Sequence, residues 1–324
     1  LTDTAVQQPL PLCLCLSRGR IFMIHTPARR CKRSGASCAK QALTCTKKAC
    51  RAGLPPQNRC VTMKKTCRGS AFLKENKYDD SVFFEQYSHM PRSEQGLSAA
   101  GEWPALKALL PELAGKRVLD LGCGFGWHCR YAAEHGAARV LGTDLSQRML
   151  ERACAMTDSP VVEYRRAAIE DTRPAPAAWD VVLSSLALHY VEDYAGVCRM
   201  VWDALSPGGW FIFSAEHPVF TAQGPQDWQR DAGGAPLHWP VDRYFEQGPR
   251  DAVFLGEHMR KYHRTVTGYV QPLLARGFAL EALVEPQPAR EMLDAVPGMA
   301  DELRRPMMLI LKARKPRRSG REQE

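Results

Sequence analysis

The sequence predicts an α/β fold built on a parallel, doubly wound sheet. From residue 117 onward, short apolar runs alternate with stretches of helical character, the pattern of strand–helix–strand units. The first run is followed at once by glycines at 122, 124 and 126. Two of the early runs bring an acid to the strand's carboxyl end, Asp120 in Arg-Val-Leu-Asp-Leu and Asp144 closing Arg-Val-Leu-Gly-Thr-Asp.

The elements follow in order. Tyr78–Tyr87 reads as a short aromatic helix with Val82, Phe83 and Tyr87 on related turns, and Glu102–Leu110 as a second helix ending at Pro111. Strands are expected at 117–121, 138–143, 161–166, 180–184 and 209–214, with helices at 126–135, 146–155, near 174–177, and at 193–204. After an insertion at 217–256 come a helix at 265–276 and strands at 278–285 and 306–313. The insertion holds Pro218, Pro225, Pro236, Pro240, Pro249, Trp228 and Trp239. A long irregular connection of this kind in a compact domain is commonly functional. It follows the fifth strand, at the sheet edge where α/β folds bind ligands, so it is expected to form part of a lid.

Residues 1–70 read as a separate basic, Cys-rich extension, 71–314 as one catalytic domain, and 315–324 as a charged tail. Residues 1–77 hold 16 Lys/Arg against 2 Asp/Glu, so the overall charge of +9 belongs to this segment and the rest is net acidic. Eight of the twelve cysteines lie at 13–67 without a Cys-x-x-Cys pair, which argues against a zinc module. A transit segment or a disordered, non-native extension suits the composition better. Leu10–Leu16 is too short to span a bilayer. No metal, no membrane contact and a cytoplasmic location are expected, and the oligomeric state is open.

Glycine tolerates positive φ and lets backbone approach a ligand closely, so the loop at 122–126 is a ligand cradle. Gly122 and Gly124 fit the first two places of the dinucleotide fingerprint Gly-x-Gly-x-x-Gly/Ala, but the third falls on Trp127. A carboxylate just ahead of the loop suits a ligand with an ammonium group better than a phosphate. Asp144 can accept hydrogen bonds from both ribose hydroxyls, which does not discriminate between ligands. In isolation either acid could equally be a turn or capping residue.

Asp120-Leu-Gly-Cys-Gly-Phe-Gly126 resembles motif I of the class I S-adenosylmethionine-dependent methyltransferases. Gly142-Thr-Asp-Leu-Ser146 resembles their second motif, Trp179–Tyr190 their fourth, and Leu205–Phe213 the turn and fifth strand that follow. The resemblance covers roughly 78–313 and is nearest the type 11 small-molecule group. It implies a Rossmann-like seven-stranded sheet with an antiparallel last strand, and S-adenosylmethionine as cofactor. Asp120 would face the ammonium, the backbone of Gly122, Gly124 and Gly126 would run beside the methionine and ribose, Asp144 would hold the ribose, and Leu145 would pack on the adenine. The third motif departs from the family: Ala167-Ala-Ile-Glu-Asp171 lacks the usual first Asp, leaving adenine recognition to Ile169 and Glu170, with Asp171 as a substitute. Ser184, Ser185 and Leu186 would end the fourth strand beneath the sulfonium, with backbone carbonyls of this stretch, Ser185 included, toward the ammonium.

The implied reaction transfers a methyl group to an O, N or C nucleophile of a small-molecule acceptor. Positioning supplies much of the rate, and no metal is needed. A general base would assist a hydroxyl or an acidic carbon, and His217 and His263 are the candidates. Tyr78, Tyr87, His258, Tyr262 and Arg264 are candidate pocket residues, with Tyr87 and Arg92 able to close over the cofactor. Ser-Ser-Leu-Ala stands where nucleic-acid N-methyltransferases carry Asn/Asp-Pro-Pro-Tyr, which argues against a nucleic-acid acceptor. Two other readings remain: an RNA- or ribosome-associated protein anchored by the basic leader, and an NAD(P)-dependent oxidoreductase.

Overall fold

The computed structural model describes residues 76–317, together with a pairing of Leu16–Ser17 with Arg20–Ile21. Apart from that pairing, the expectation of a separate, disordered or transit-like extension at 1–70 lies outside the described residues, as does the charged tail at 315–324 beyond residue 317.

The central sheet contains β1 (Arg117–Leu121), β2 (Arg139–Asp144), β3 (Val162–Arg166), β4 (Trp179–Ser185) and β5 (Leu205–Glu216), all parallel. A hairpin of β6 (Gly248–Phe254) and β7 (Glu257–His263) stands apart from it. β8 (Ala279–Val284) and β9 (Met308–Arg314) complete the sheet in the order β8-β9-β5-β4-β1-β2-β3. β9 runs antiparallel to both of its neighbours, as expected of the last strand.

Alternation along the buried strands sends side chains to two helical layers. Leu119, Leu121, Phe211, Phe213 and Leu311 pack with α5 (Tyr194–Ala204) and α6 (Val266–Arg276). Val118, Val140, Val181, Ile212 and Ile310 pack with α2 (Trp103–Leu109), α3 (Trp127–Glu134) and α4 (Gln147–Met156). Before these, α1 (Ser81–Ser88) is capped by Asp80, whose carboxylate accepts the N–H groups of Val82 and Phe83.

Two expectations are corrected. No helix forms near 174–177; a single 3-10 turn at Ile169–Asp171 makes the connection instead. Pro174 and Pro176 each remove a backbone donor there, and Ala175 precedes a proline, which disfavours helix. The insertion is also more regular than expected. It contains a turn at Pro218–Thr221, a small pairing of Gln229–Arg230 with Pro236–His238, and the first strand of the β6–β7 hairpin.

Candidate active site

The glycine loop bends after β1 and feeds α3. Gly122, Gly124 and Gly126 all have positive φ, at 74°, 52° and 73°. Their surroundings differ. A Cβ at Gly122 would come 2.5 Å from Ala187 Cβ, and one at Gly126 would come 2.0 Å from Tyr164 Oη. A Cβ at Gly124 would meet nothing within 4 Å. Gly122 and Gly126 are therefore required by packing, while Gly124 faces open space that a ligand can enter.

Asp144 is wired into this loop. Its Oδ2 accepts the Gly124 N–H at 2.9 Å and its Oδ1 accepts the Ser146 N–H at 2.8 Å. Burial raises its pKa, and these backbone donors oppose the rise. Leu145 follows, half-buried, its carbonyl accepting from Arg166 Nε. Asp120 lies at the base, 1% exposed, with its Oδ2 accepting the Cys129 thiol at 3.3 Å. Burial pushes its carboxyl up to about 7, a rise the thiol opposes and the neighbouring Asp144 charge reinforces.

A cleft opens beside the loop, bounded by Gly122, Gly124, Phe125, Trp127, Arg92 and Ser185. Trp127, in the place of a third glycine, turns toward this cleft. Its ring packs on Gly96, where a Cβ would come within 2.4 Å, and carries the Arg130 guanidinium at 4.0 Å. Ser185 Oγ donates to Glu102 Oε1 at 3.2 Å, and Arg92 Nη2 donates to the same oxygen at 3.0 Å. Just beyond Ser185, Leu186 has φ of 50°, an uncommon value for a residue with a side chain, at the turn that brings Ala187 against Gly122. Ile169, from the 3-10 turn at Ile169–Asp171, reaches the same place, its Cδ1 3.5 Å from the Cβ position of Gly122. Burial and Glu192 raise the pKa of Tyr262, and Glu170, next in the 3-10 turn, adds to that rise.

The two histidines do not face this cleft. His217 is buried and caps the turn at Pro218–Thr221, its Nδ1 accepting the Val219 N–H at 3.0 Å. Its Nε2 lies 2.8 Å from Glu285 Oε1 but off the line of a good hydrogen bond. Burial lowers its pKa, and Glu285 offsets part of that. His263 is fully buried with both nitrogens engaged. Nδ1 pairs with the Thr221 hydroxyl and Nε2 with the Tyr244 carbonyl, each at 2.8 Å. Because a carbonyl only accepts, Nε2 carries the proton and Nδ1 accepts from Thr221.

A polar cluster at the carboxyl end of β5 was not foreseen. Glu216 Oε1 accepts from Lys261 Nζ at 2.6 Å, and Glu216 Oε2 accepts from Gln226 at 2.8 Å. His189 Nδ1 accepts the Glu216 N–H, and burial lowers the ring's pKa to about 4. Tyr190 lies between the two regions, its pKa raised by burial and by Glu216 and lowered by Arg92, with its hydroxyl 3.3 Å from that of Tyr78. The sequence did hold a signal for Lys261. Met259, Lys261 and His263 fall on the buried side of a period-two strand, and a lysine on such a face requires a partner.

Loop, strand-end acid and open Gly124 face together fit a nucleoside ligand that lies against backbone. This fold and site define a Rossmann-like, nucleoside-dependent transferase. The methyltransferase-domain family model matches residues 119–213. A protein from Listeria monocytogenes assigned to the S-adenosylmethionine-dependent methyltransferases is 59% identical, covering 68% of this chain and 99% of its own, with a TM-score of 0.65. An S-adenosylmethionine-dependent methyltransferase from Mesorhizobium loti is 48% identical, covering 68% and 100%, with a TM-score of 0.63. An uncharacterized protein of Haemophilus influenzae is 34% identical over 75% of this chain and 98% of its own. The chain belongs to the class I S-adenosylmethionine-dependent methyltransferases, and its cofactor is S-adenosylmethionine. The ubiquinone biosynthesis O-methyltransferase of Neisseria meningitidis is 32% identical over 146 residues, only 61% of that enzyme.

Proposed function

We propose that the protein methylates a small-molecule acceptor bound between the glycine loop and the Glu216–Lys261 cluster. The observation that carries this reading is the Asp144–Gly124 link, with a vacant face at Gly124 beside the cleft. When bound, S-adenosylmethionine supplies a methyl carbon already activated by its sulfonium, which an acceptor lone pair attacks in line. Asp144 holds the ribose, Ile169 and Glu170 border the base, and Leu145 covers its face. Ser185 and the strained Leu186 shape the floor on which the methyl carbon is presented.

On the acceptor side, Tyr78, Tyr190, His189, Glu216 and Lys261 form a partly buried polar wall. Glu216 is held ionised, its pKa lowered by His189, Lys261 and Gln226 against the cost of burial. That places a fixed carboxylate near the acceptor, able to orient a hydroxyl or amine through Tyr190. His217 and His263 are assigned to bracing the insertion, because cap and buried hydrogen bonds already occupy them.

Calorimetry with S-adenosylhomocysteine tests the donor site, and unchanged affinity in Asp144→Ala would remove it. Incubation with methyl-labelled cofactor and a metabolite extract, followed by mass spectrometry, identifies the acceptor. The absence of any labelled small molecule, alongside labelling of RNA, would favour the second reading, which rests on the basic residues 1–77. That reading requires a chain starting at Met63 to lose salt-sensitive RNA binding. Among the described residues no helix is long and apolar enough to cross a membrane, in keeping with a proposed cytoplasmic location.

A further inference from the structure

Glu102 is an acid 1% exposed, at the N-terminus of α2. Its two oxygens are treated differently. Oε1 accepts from Arg92 and from Ser185, whose own hydroxyl accepts from Ser214 at 3.2 Å. Oε2 is buried and has no hydrogen-bond partner among the described residues. A buried carboxylate oxygen is ordinarily satisfied, so an orphan of this kind marks a missing donor. Three neighbours of Glu102 line the cleft beside the glycine loop: Arg92, Ser185 and His128, whose ring feels the Glu102 charge. His128 cannot be the missing cation, because burial lowers its pKa to about 4 and leaves it neutral. Arg92, a quarter exposed to the cleft, pairs with Glu102 through Nη2, which leaves Nε and Nη1 as further donors.

We propose that Arg92 and Glu102 form a clamp for the zwitterionic end of the methyl donor. Glu102 Oε2 accepts from the α-ammonium, and the remaining Arg92 N–H groups donate to the α-carboxylate. An ion pair is the complement of a zwitterion, and here each member keeps unused bonding capacity. Both residues precede residue 119, outside the span matched by the family model, and reach the loop from the short helices ahead of the sheet. Asp120 then has another duty: buried under the loop and engaged by Cys129, it sets the floor of the site.

This inference rests on the donor reading above, and ligand analogues separate the two. Calorimetry on the full chain compares S-adenosylhomocysteine with its desamino and decarboxy analogues, in wild type, Glu102→Gln and Arg92→Gln. Wild type should lose on the order of ten- to a hundredfold in affinity for each analogue, the value of a charge-assisted contact in a desolvated site. Glu102→Gln should weaken S-adenosylhomocysteine similarly but make no further distinction against the desamino analogue. Arg92→Gln, at a more exposed position less apt to disturb folding, should behave likewise with the decarboxy analogue. If the variants keep the wild-type discrimination, so that losses add, the clamp is wrong while the donor site stands. If wild type does not bind S-adenosylhomocysteine at all, both fall.

Discussion

Asp144 and Gly124, 20 residues apart in sequence, are joined by a 2.9 Å hydrogen bond from the Gly124 N–H to the carboxylate. The residue proposed to recognise ribose thus also holds the glycine loop, with its second oxygen fixing Ser146 at the cap of α4. On that proposal, ligand recognition and loop order share one side chain.

Replacing that side chain should show both effects. Asp144→Ala strips partners from two backbone donors, costing about 2 kcal/mol, and should lower the melting temperature by roughly 4–8 °C. The same change should weaken S-adenosylhomocysteine by on the order of a hundredfold, through lost ribose contacts. Asp144→Asn is not conservative here, since its amide nitrogen must face a backbone N–H. A scanning-fluorimetry profile unchanged in both variants would contradict the shared role.

Two of the loop glycines should separate stability from binding. Gly126→Ala must hold a side chain at φ 73° with its Cβ 2.0 Å from Tyr164 Oη, which itself pairs with Thr157. Strain and overpacking together should cost about 3 kcal/mol. Gly124→Ala carries strain alone, about 1–2 kcal/mol, because nothing in the protein meets its Cβ. Its methyl group instead enters the space proposed for the ligand. Denaturant melts should rank Gly126→Ala as the more damaging change, whereas calorimetry with S-adenosylhomocysteine should show a larger affinity loss in Gly124→Ala than its stability loss explains.

These contrasts also mark what could be read from sequence. The strand–helix alternation and the loop were legible because period, glycine spacing and strand-end acids are local signals. Trp127 in the third glycine place was visible, but its packing on Gly96 was not, since Gly96 arrives from a separate segment. The Glu216–Lys261 pair joins residues 45 apart, and Arg92–Glu102–Ser185 joins an N-terminal turn to the end of β4. Such partnerships depend on topology and leave no spacing behind. The partners of His217 and His263 were hidden for the same reason: a histidine near a sheet edge looks alike whether its nitrogens face a substrate or, as with His263, Thr221 and Tyr244.

The bracing role proposed for the histidines has its own consequence. His263→Ala should cost about 2–4 kcal/mol, because the Thr221 hydroxyl and the Tyr244 carbonyl lose buried partners, while S-adenosylhomocysteine binding persists at temperatures where the variant is folded. His217→Asn keeps a good N-cap for the turn at Pro218–Thr221 and should turn over near the wild-type rate once the acceptor is known. Collapse of turnover in His217→Asn with cofactor affinity intact would restore His217 as the general base.

Asp120 gives the clearest pH prediction. Its carboxyl titrates near 7 in the folded protein against 3.8 ordinarily, so between these values the folded state binds the extra proton. The contribution of Asp120 to stability is therefore fully present below pH 3.8, is lost as pH rises through about 7, and is constant above that. Buried His128 and His189, both near 4, act in the opposite sense, losing stability as pH falls from 6.5 toward 4. Asp120→Asn removes only the acid's titration while retaining an acceptor for the Cys129 thiol. Relative to wild type, the variant should gain up to about 1.4 kcal/mol of stability per pH unit across the window from 4 to 7, then hold a constant advantage. Urea melts of both proteins at half-unit pH steps measure this difference directly, with the shared histidine contributions cancelling. A difference that stays flat from pH 4 to 7 would mean that Asp120 is ionised throughout, and would return it to the role of a charged partner for the donor's ammonium.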